Sequence, residues 1–232
     1  MTIQGSPVLA LLEGWSGGQG APALTWYGAA GERVELSERV LANWVIKAIN
    51  LLTDEADAAP GDTVTVDLPM HWRTLVWTLA VWGAGATVTL PGDAPAVTGP
   101  DVVISATTPP VAAPVRIVIA LPALAREVDD LPAGAIDGAA ELMAQPDVLI
   151  TPPDWDPDAI ALGETRHGRL TAEPGVAAPG EGRFLVPAGP VAPGLRTCLA
   201  IWSSGGSVVL VGDPDADLDR IGAQEGARPL PG

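Results

Sequence analysis

The segment between residues 63 and 90 constrains the fold of this chain more than any other. Its first part, Thr63–Leu68, alternates apolar and polar residues with the period of a β-strand. Trp72–Gly83 then carries apolar residues at helical spacing, and Thr87–Leu90 predicts a second strand. Two strands joined by so short a helical crossover are expected to lie parallel and side by side. The segment therefore predicts an α/β fold with a largely parallel, open sheet flanked by helices.

Other elements surround this unit and extend the same pattern. An amphipathic helix is predicted over Ser37–Leu52, with Ser37 as its N-cap. Further strands are predicted at Val102–Ser105, Val115–Leu121, Val148–Thr151, Phe184–Val186 and Ser207–Val211, and helices at Asp137–Ala144 and Gly194–Ser203. We expect residues 1–225 to form one α/β domain, because 232 residues suffice for a single core.

Two stretches lack the periodicity of core elements. Residues 152–182 are rich in Pro, Gly and Asp, a composition that predicts a long surface excursion. Residues 226–232 predict a disordered tail.

The charge of the chain argues against several classes of partner. Its 28 acidic and 12 basic residues give a net charge of −16, which repels nucleic acids and anionic membranes at long range. No apolar run approaches the roughly 20 residues that span a bilayer, and the N-terminal residues lack the pattern of a secretory signal. The sequence thus predicts a cytoplasmic protein without a nucleic-acid or membrane partner.

Residues that could bind metals or act as nucleophiles are few and scattered. Cys198 stands among apolar residues of a predicted helix, so a buried and inert thiol is expected. No zinc-binding spacing joins His71 to His167. The acidic runs Asp154–Asp158 and Asp213–Asp217 begin like calcium loops but lack the later Gly and Glu, so turns and helix starts are predicted. We predict no metal and no cofactor.

Ligand-binding candidates come from the ends of predicted strands. Ser203–Ser207 follows a helix, so Gly205 or Gly206 is predicted to cap that helix and not to bind phosphate. Gly189–Gly194 has the strand-to-helix order of a ligand loop but lacks its Lys and Ser/Thr, and no Gly-x-Ser-x-Gly elbow occurs. His71 follows a strand at its carboxyl end, where α/β folds place ligands, although a capping or packing role is the alternative. The candidate binding residues are His71, Gly189, Pro190 and Gly194, and no catalytic residue is predicted.

The order of these motifs resembles a known family. The N-terminal motifs are Pro22–Tyr27, the helix Leu36–Leu52, Pro60–Pro69, and the helix leading to Ala84–Leu90. The C-terminal motifs are Phe184–Pro187, Gly194–Trp202 and Gly205–Val211. Together they resemble the N-terminal domain of adenylate-forming enzymes, such as acyl- and aryl-CoA synthetases. The pattern is also similar to a small family of uncharacterised actinobacterial proteins related to these enzymes.

Several departures from that family bear on function. The resemblance implies a Ser/Thr/Gly-rich phosphate loop ending in Lys after Asp147–Thr151, where Thr151–Trp155 stands instead. Gly189-Pro190 replaces an aromatic residue or His beside the acyl pocket, and the later adenine, ribose, Mg²⁺ and catalytic-lysine motifs are missing. We therefore expect a truncated, non-catalytic relative that serves as a binding or interaction module, with a second copy or another protein as partner.

Two other hypotheses remain open at this point. One is an enzyme of altered chemistry that uses a crevice near His71 and Gly189, keeps an AMP- or acyl-type pocket, and is completed by a partner chain. A cleft with ionisable groups of perturbed pKa would favour it. The other is a structural subunit without a small ligand, which predicts a large exposed apolar patch.

Overall fold

The computed structural model describes residues 6–18, 20–92, 99–106, 112–123, 125–172, 177–187 and 189–230. The helices are α1 (Pro7–Ser16), α2 (Glu38–Asp54), α3 (Trp72–Gly83), α4 (Ala140–Ala144), α5 (Val191–Ser203) and α6 (Leu218–Glu225). The strands are β1 (Pro22–Tyr27), β2 (Arg33–Ser37), β3 (Thr63–Asp67), β4 (Thr87–Thr89), β5 (Val102–Ser105), β6 (Val115–Val118), β7 (Ile136–Asp137), β8 (Ile160–Leu162), β9 (Thr165–Arg166), β10 (Gly182–Pro187) and β11 (Gly206–Val211). Among these residues no helix is long and apolar enough to cross a membrane.

The strands form two sheets instead of one. The larger sheet has the order β7-β6-β5-β3-β4-β8-β9 and is parallel except for the β8–β9 pair. The smaller has the order β10-β11-β1-β2 and is parallel except for the β1–β2 pair. Helices α2 and α3 pack against each other, with α2 touching the smaller sheet and α3 the larger. The predicted α/β class, with mostly parallel strands flanked by helices, is confirmed.

The predicted strand–helix–strand unit is present, and its helix lies deep in the core. All twelve residues of α3 are buried, and the indole rings of Trp72, Trp77 and Trp82 are among the largest fully buried side chains. Strands β3 and β4 pair in parallel, with Val64 opposite Val88. A helix that is buried on every side can only be accommodated between layers, which is where α3 lies.

Helix α2 begins as predicted, and α1 was not predicted. The Ser37 hydroxyl accepts a hydrogen bond from the Val40 amide at 3.3 Å, which caps α2. Before it, α1 starts with Pro7 in its first turn, and the Ser6 hydroxyl accepts from the Leu9 amide at 3.2 Å. A cap followed by proline was the available signal, but the short apolar run by itself indicated no helix.

Residues Val148–Thr151, predicted as a strand, form none. The buried Asn50 side chain of α2 donates to the carbonyls of Pro146 and Val148 at 3.1 and 2.9 Å. Its Oδ1 accepts from the Ile150 amide at 3.2 Å. One carboxamide thus satisfies backbone groups that a neighbouring strand would otherwise pair. Val148 and Ile150 are left 64% and 56% exposed.

Part of the predicted surface excursion, residues 152–182, joins the larger sheet. Strand β8 pairs in parallel with β4 through Val88 and Leu162, and it forms a hairpin with β9. The Trp82 indole donates to the Ala161 carbonyl at 3.0 Å. Burial of Ala161 and this long-range contact stabilise a strand too short to show periodicity. Residues 173–176 of the excursion lie outside the described residues.

The predicted disordered tail, residues 226–232, is attached to β10 as far as the structure describes it. Arg228 forms a parallel bridge with Phe184. Its amide donates to the Arg183 carbonyl, its carbonyl accepts from the Leu185 amide, both at 2.9 Å, and its guanidinium lies 4.7 Å from the Phe184 ring. This pairing at the sheet edge is not visible in a short Pro/Gly-rich sequence. Residues 231 and 232 lie outside the described residues.

Candidate functional site

A crevice of about 390 Å³ opens where strands of both sheets end. Trp26 at the end of β1, Gly212 after β11, His71 after β3 and Leu121 after β6 all line it. Each residue lies at or beyond the carboxyl end of a strand, the position at which open α/β sheets bind ligands. We refer to it as the His71 crevice.

His71 occupies a fixed position in this crevice. It is the N-cap of α3, and its Nδ1 accepts a hydrogen bond from the Arg73 amide at 3.1 Å. Its ring lies 4.5 Å from the Trp26 ring in an edge-to-face arrangement. Burial and, as the smaller cause, the Arg73 charge together lower the pKa of His71 to about 4. At pH 7 the imidazole is therefore neutral, with its proton on Nε2 because Nδ1 is an acceptor.

Arg73 places a buried positive charge near the crevice, since it contacts the lining residue Pro122 and its charge acts on His71. Its guanidinium donates to the carbonyls of Pro122 and Ala125 at 3.4 and 3.2 Å. It also lies 4.5 Å from the Trp72 ring and 5.6 Å from the Trp44 ring, within reach of cation–π attraction. Burial lowers the pKa of Arg73 to about 10, so the side chain remains charged at pH 7.

Two glycines allow Trp26 to form one wall of the crevice. A Cβ on Gly212 would collide with the six-membered ring of Trp26, so the indole needs glycine there. A Cβ on Gly28 would lie 2.8 Å from Glu32 Oε2 and 2.9 Å from Trp26 Nε1. The carboxylate and the indole N–H therefore converge on the space beside Gly28. Trp26 Nε1 is buried and has no hydrogen-bond partner among the described residues.

Glu32 is held in the crevice by the chain that follows β6. Its Oε1 accepts a hydrogen bond from the Ala123 amide at 3.0 Å. The second oxygen faces Gly28. Arg73 is close enough for the Glu32 charge to oppose the lowering of its pKa. The crevice therefore offers a carboxylate, the His71 Nε2–H donor and apolar walls, while the Trp26 N–H is buried beside Gly28.

The four predicted site residues have different positions. His71 lines the crevice, and Gly194 lies behind its wall, since a Cβ there would be 2.8 Å from the Met70 sulfur. Gly189 and Pro190 are exposed at the start of α5, outside the described crevice lining. Trp26, Gly28 and Glu32 were not predicted as site residues. The available signal was that Trp26 lies in the motif Pro22–Tyr27, but its proximity to His71 depends on how the two sheets meet.

Other candidate residues have structural roles. Cys198 is buried, as predicted, and burial raises the pKa of its thiol. Asp156 and Asp213 accept hydrogen bonds from the amides two residues ahead, and Asp217 caps α6 by accepting from the Arg220 amide at 2.9 Å. The predicted turns and helix start are confirmed. No group of three potential metal ligands occurs within the described part of the chain.

The residues at the position of a phosphate loop lie far from the crevice in the fold. The Asp154 carbonyl oxygen is 2.8 Å from the position of a Cβ on Gly85, which precedes β4 at its amino end. The crevice lies at the opposite, carboxyl edge of the same sheet. After α5, Gly205 has φ +79° and donates to the Trp202 carbonyl at 3.1 Å, which confirms the predicted helix cap.

Comparison with known proteins places this geometry in context. No protein-family model matches the chain. A TIGR03089 family protein of Mycobacterium tuberculosis (strain ATCC 25618 / H37Rv) is 33% identical over 221 residues, covering 88% of each chain. The acyl-CoA synthetase of Brucella canis has a TM-score of 0.72 and 17% identity over 96% of this chain and 46% of its own. The amide bond synthetase McbA of Marinactinospora thermotolerans has a TM-score of 0.63 and 20% identity, with 95% and 47% covered.

These findings confirm the predicted resemblance at the level of fold. The chain has the fold of part of the adenylate-forming enzymes and spans about half the length of those solved structures. The curated relative is close in length and comes from an actinobacterium, as the sequence pattern predicted. By its 33% identity across most of both chains, this protein belongs to the TIGR03089 family.

Proposed function

We propose that this protein is a non-catalytic binding protein that holds a small acyl or aryl ligand in the His71 crevice. The main support for this proposal is the state of His71. Its pKa of about 4 keeps the ring neutral at pH 7, and its Nδ1 accepts a hydrogen bond, which leaves Nε2–H as a fixed donor. General acid–base catalysis works best with a pKa near the working pH. A neutral, fixed imidazole instead suits the recognition of an acceptor oxygen.

The absence of a phosphate-binding sequence supports a binding role. Thr151–Trp155 contains no Lys and no run of Ser, Thr or Gly, and its Asp154 packs against Gly85 at the sheet edge away from His71. Adenylation requires preorganised groups that stabilise charge on a phosphoryl centre. None of the crevice residues described above is a lysine.

The lining of the crevice defines the class of ligand. Its volume of about 390 Å³ is at the small end of the range for ligand sites. Met70 and Leu121 offer apolar contacts, while His71 Nε2–H can donate to a carbonyl or carboxylate oxygen. The buried Arg73 charge favours that oxygen electrostatically. A compact acyl or aryl group with one such oxygen fits these contacts.

Thermal-shift measurements test the proposal. The panel holds benzoate, benzamide, octanoate, AMP, ATP and a non-hydrolysable acyl-adenylate mimic, with and without Mg²⁺. A ligand at one hundred times its Kd stabilises by about 2.7 kcal/mol, and this raises Tm by roughly 5–10 °C for a chain of this size. We expect an acyl or aryl compound to give such a shift, and no shift from any compound would contradict the proposal.

A pair of matched variants assigns the shift to the crevice. Ala29 is exposed and lines the crevice, whereas Ala59 is exposed before β3 at the opposite sheet edge. Ala29→Arg should abolish the ligand-induced shift by filling the opening, and Ala59→Arg should preserve it. Equal loss in both variants would place binding elsewhere.

The second candidate is an enzyme of altered chemistry. It is favoured by the meeting of Glu32, Trp26 Nε1 and a histidine of perturbed pKa in one crevice. Acid-dependent exchange of pyrophosphate into ATP by the pure protein distinguishes the two candidates. We expect no exchange above that of a sample without protein, and exchange that Ala29→Arg abolishes would overturn the non-catalytic proposal.

A further inference from the structure

A second cavity, separate from the His71 crevice, lies between α1, the first half of α2 and residues 147–152. We propose that this α1–α2 groove binds a small amphiphile with an apolar chain and an uncharged, hydrogen-bonding head. Its volume is about 660 Å³, within the roughly 300–1,000 Å³ typical of small-molecule sites. The proposal is independent of the function proposed for the crevice.

Apolar side chains from all three segments form the body of the groove. Leu9 and Leu12 lie on one face of α1, and Ile46 lies on the facing side of α2. Val148 and Leu149 close the third side. These side chains present an apolar surface that stays accessible, because Val148 is 64% exposed. Such a surface gains free energy when an apolar chain covers it.

The polar lining residues of the two helices lie towards one end of the groove, whereas Asp147 lies apart from them on the third side. A Cβ on Gly18, just after α1, would collide with the Glu38 carboxylate at the start of α2, so these two helix ends are adjacent. Ser16 and Arg39 line the groove at this end. At the other end, Leu9 and Ile49 both contact the position of a Cβ on Gly83. The helical sides of the groove are therefore polar at one end and apolar at the other, which matches an amphiphile.

The charges at the polar end determine the head group. Arg39 contributes a cation and Glu13, one turn from Ser16, contributes an anion, so their charges compensate. Ser16 and Asn43 can each donate and accept hydrogen bonds. A carboxylate head would meet Glu13 and an amine head would meet Arg39, whereas a primary amide complements all four. The third charged lining residue, Asp147, is exposed beside Val148.

The third side of the groove is held in place before any ligand binds. Residues 145–150, which we call the wall segment, are fixed by side chains of α2. Lys47 donates to the Gln145 carbonyl, and Asn50 makes its three hydrogen bonds to the backbone of Pro146, Val148 and Ile150. Asn50 is 1% exposed, so solvent does not compete for these bonds. A preformed wall lowers the entropic cost of binding.

A small molecule fits the groove better than a second copy of the chain. Two copies would each carry a net charge of −16, which opposes their association. The groove is also short, because α1 has ten residues and extends about 15 Å. These dimensions suit a chain of about eight carbons.

Binding of octanamide tests the proposal, with octanoate and octylamine as head-group comparisons. Titration followed by ¹H–¹⁵N NMR should shift amides of α1, the first half of α2 and the wall segment. Val148→Asp introduces a charge into the groove and should weaken octanamide binding at least tenfold. Ile150→Asp is the matched control, because Ile150 is 56% exposed on the same segment but is outside the groove lining; its effect should stay within twofold.

Head-group selectivity provides a second and sharper test. Wild-type protein should prefer octanamide, Glu13→Gln should shift the preference towards octanoate, and Arg39→Gln should shift it towards octylamine. Equal effects of Val148→Asp and Ile150→Asp, or unchanged selectivity in both head-group variants, would overturn the proposal. A dimer in light scattering that Val148→Asp dissociates, with no octanamide shifts, would identify a second copy as the occupant instead and would also overturn it.

Discussion

Helix α3 and the wall segment differ in how the fold holds them. Both contain apolar residues that predict regular structure, but every residue of α3 is buried and Val148 of the wall segment is 64% exposed. The backbone of α3 forms its own helical hydrogen bonds, whereas the wall segment depends on Lys47 and Asn50 of another element. Apolar content in a short window thus does not determine whether a segment joins the core.

The difference can be expressed as the source of stability. Helix α3 is stabilised by burial of large side chains between layers, a contribution of about 1.5–3 kcal/mol for each fully buried large apolar residue. The wall segment buries little and is stabilised by hydrogen bonds, each worth about 0.5–1.5 kcal/mol net. Truncation in α3 should therefore destabilise the whole protein, and truncation of the wall contacts should mainly open one segment.

Trp77→Ala should produce the largest effect. Trp77 is 1% exposed, and truncating it leaves a cavity in the core beside the middle of α3. The free energy of unfolding should fall by about 3–5 kcal/mol in urea titrations. Ile150→Ala, at an exposed apolar position, should change it by less than about 0.5 kcal/mol. Similar losses in the two variants would remove the distinction between the regions.

Asn50→Ala should have the next largest effect. It removes the hydrogen-bond partner of two carbonyls and one amide of the wall segment. We expect the free energy of unfolding to fall by about 2–3 kcal/mol. Hydrogen exchange at the Ile150 amide should become much faster, while exchange within α3 should keep its pattern. Asn43→Ala is the control on the same helix, since Asn43 is only partly buried. If both variants behaved alike, the wall segment would not depend on Asn50.

Sequence patterns predicted the elements whose structure follows from their own residues. The bounds of α3 and β5 agree with the prediction, and Ser37 was identified as the cap of α2. Strong periodicity and a capping residue are local properties, so they can be recognised in one sequence. The wall segment was predicted wrongly because Asn50, about one hundred residues earlier, replaces the strand partner.

The candidate site was predicted only in part for a related reason. His71 lies shortly after the end of β3, so the rule that ligands bind at strand ends identified it. Trp26 and Glu32 reach the same crevice from the smaller sheet, and only the packing of the two sheets brings them to His71. Gly212 is needed because a side chain there would overlap the Trp26 ring. A side chain at Gly28 would crowd Trp26 Nε1 and the Glu32 carboxylate. Such close approaches have no signature in sequence.

His71→Asn should change how stability depends on pH. The folded pKa of about 4 lies below the usual value of 6.5, so the unfolded chain binds more protons between these values. Stability therefore falls as pH falls through this window, by at most about 1.4 kcal/mol per pH unit, and is unaffected above pH 7. Asn retains an acceptor for the Arg73 amide but does not titrate.

Unfolding in urea at pH 7.5, 6 and 5 measures this effect. Between pH 7.5 and 5 the wild-type protein should lose about 1–2 kcal/mol more than His71→Asn. Burial also lowers the pKa of His167, but that contribution is common to both proteins and cancels in the difference. Parallel pH profiles would show that His71 has the same pKa in the folded and unfolded chain.

Lys47→Met should have the smallest effect and should reveal whether the two wall contacts act together. Met keeps the apolar stem of Lys47 but loses the donor to the Gln145 carbonyl, so a loss of about 0.5–1 kcal/mol is expected. Once Asn50→Ala has released the wall segment, the Gln145 carbonyl is no longer held near Lys47, so this hydrogen bond is already lost. The Lys47→Met substitution should then cost almost nothing further, giving a coupling energy of at least about 0.5 kcal/mol in a double-mutant cycle. Strictly additive effects would mean that Lys47 and Asn50 fix separate parts of the wall segment. The two parts would then open independently, and the segment would not act as one ordered unit.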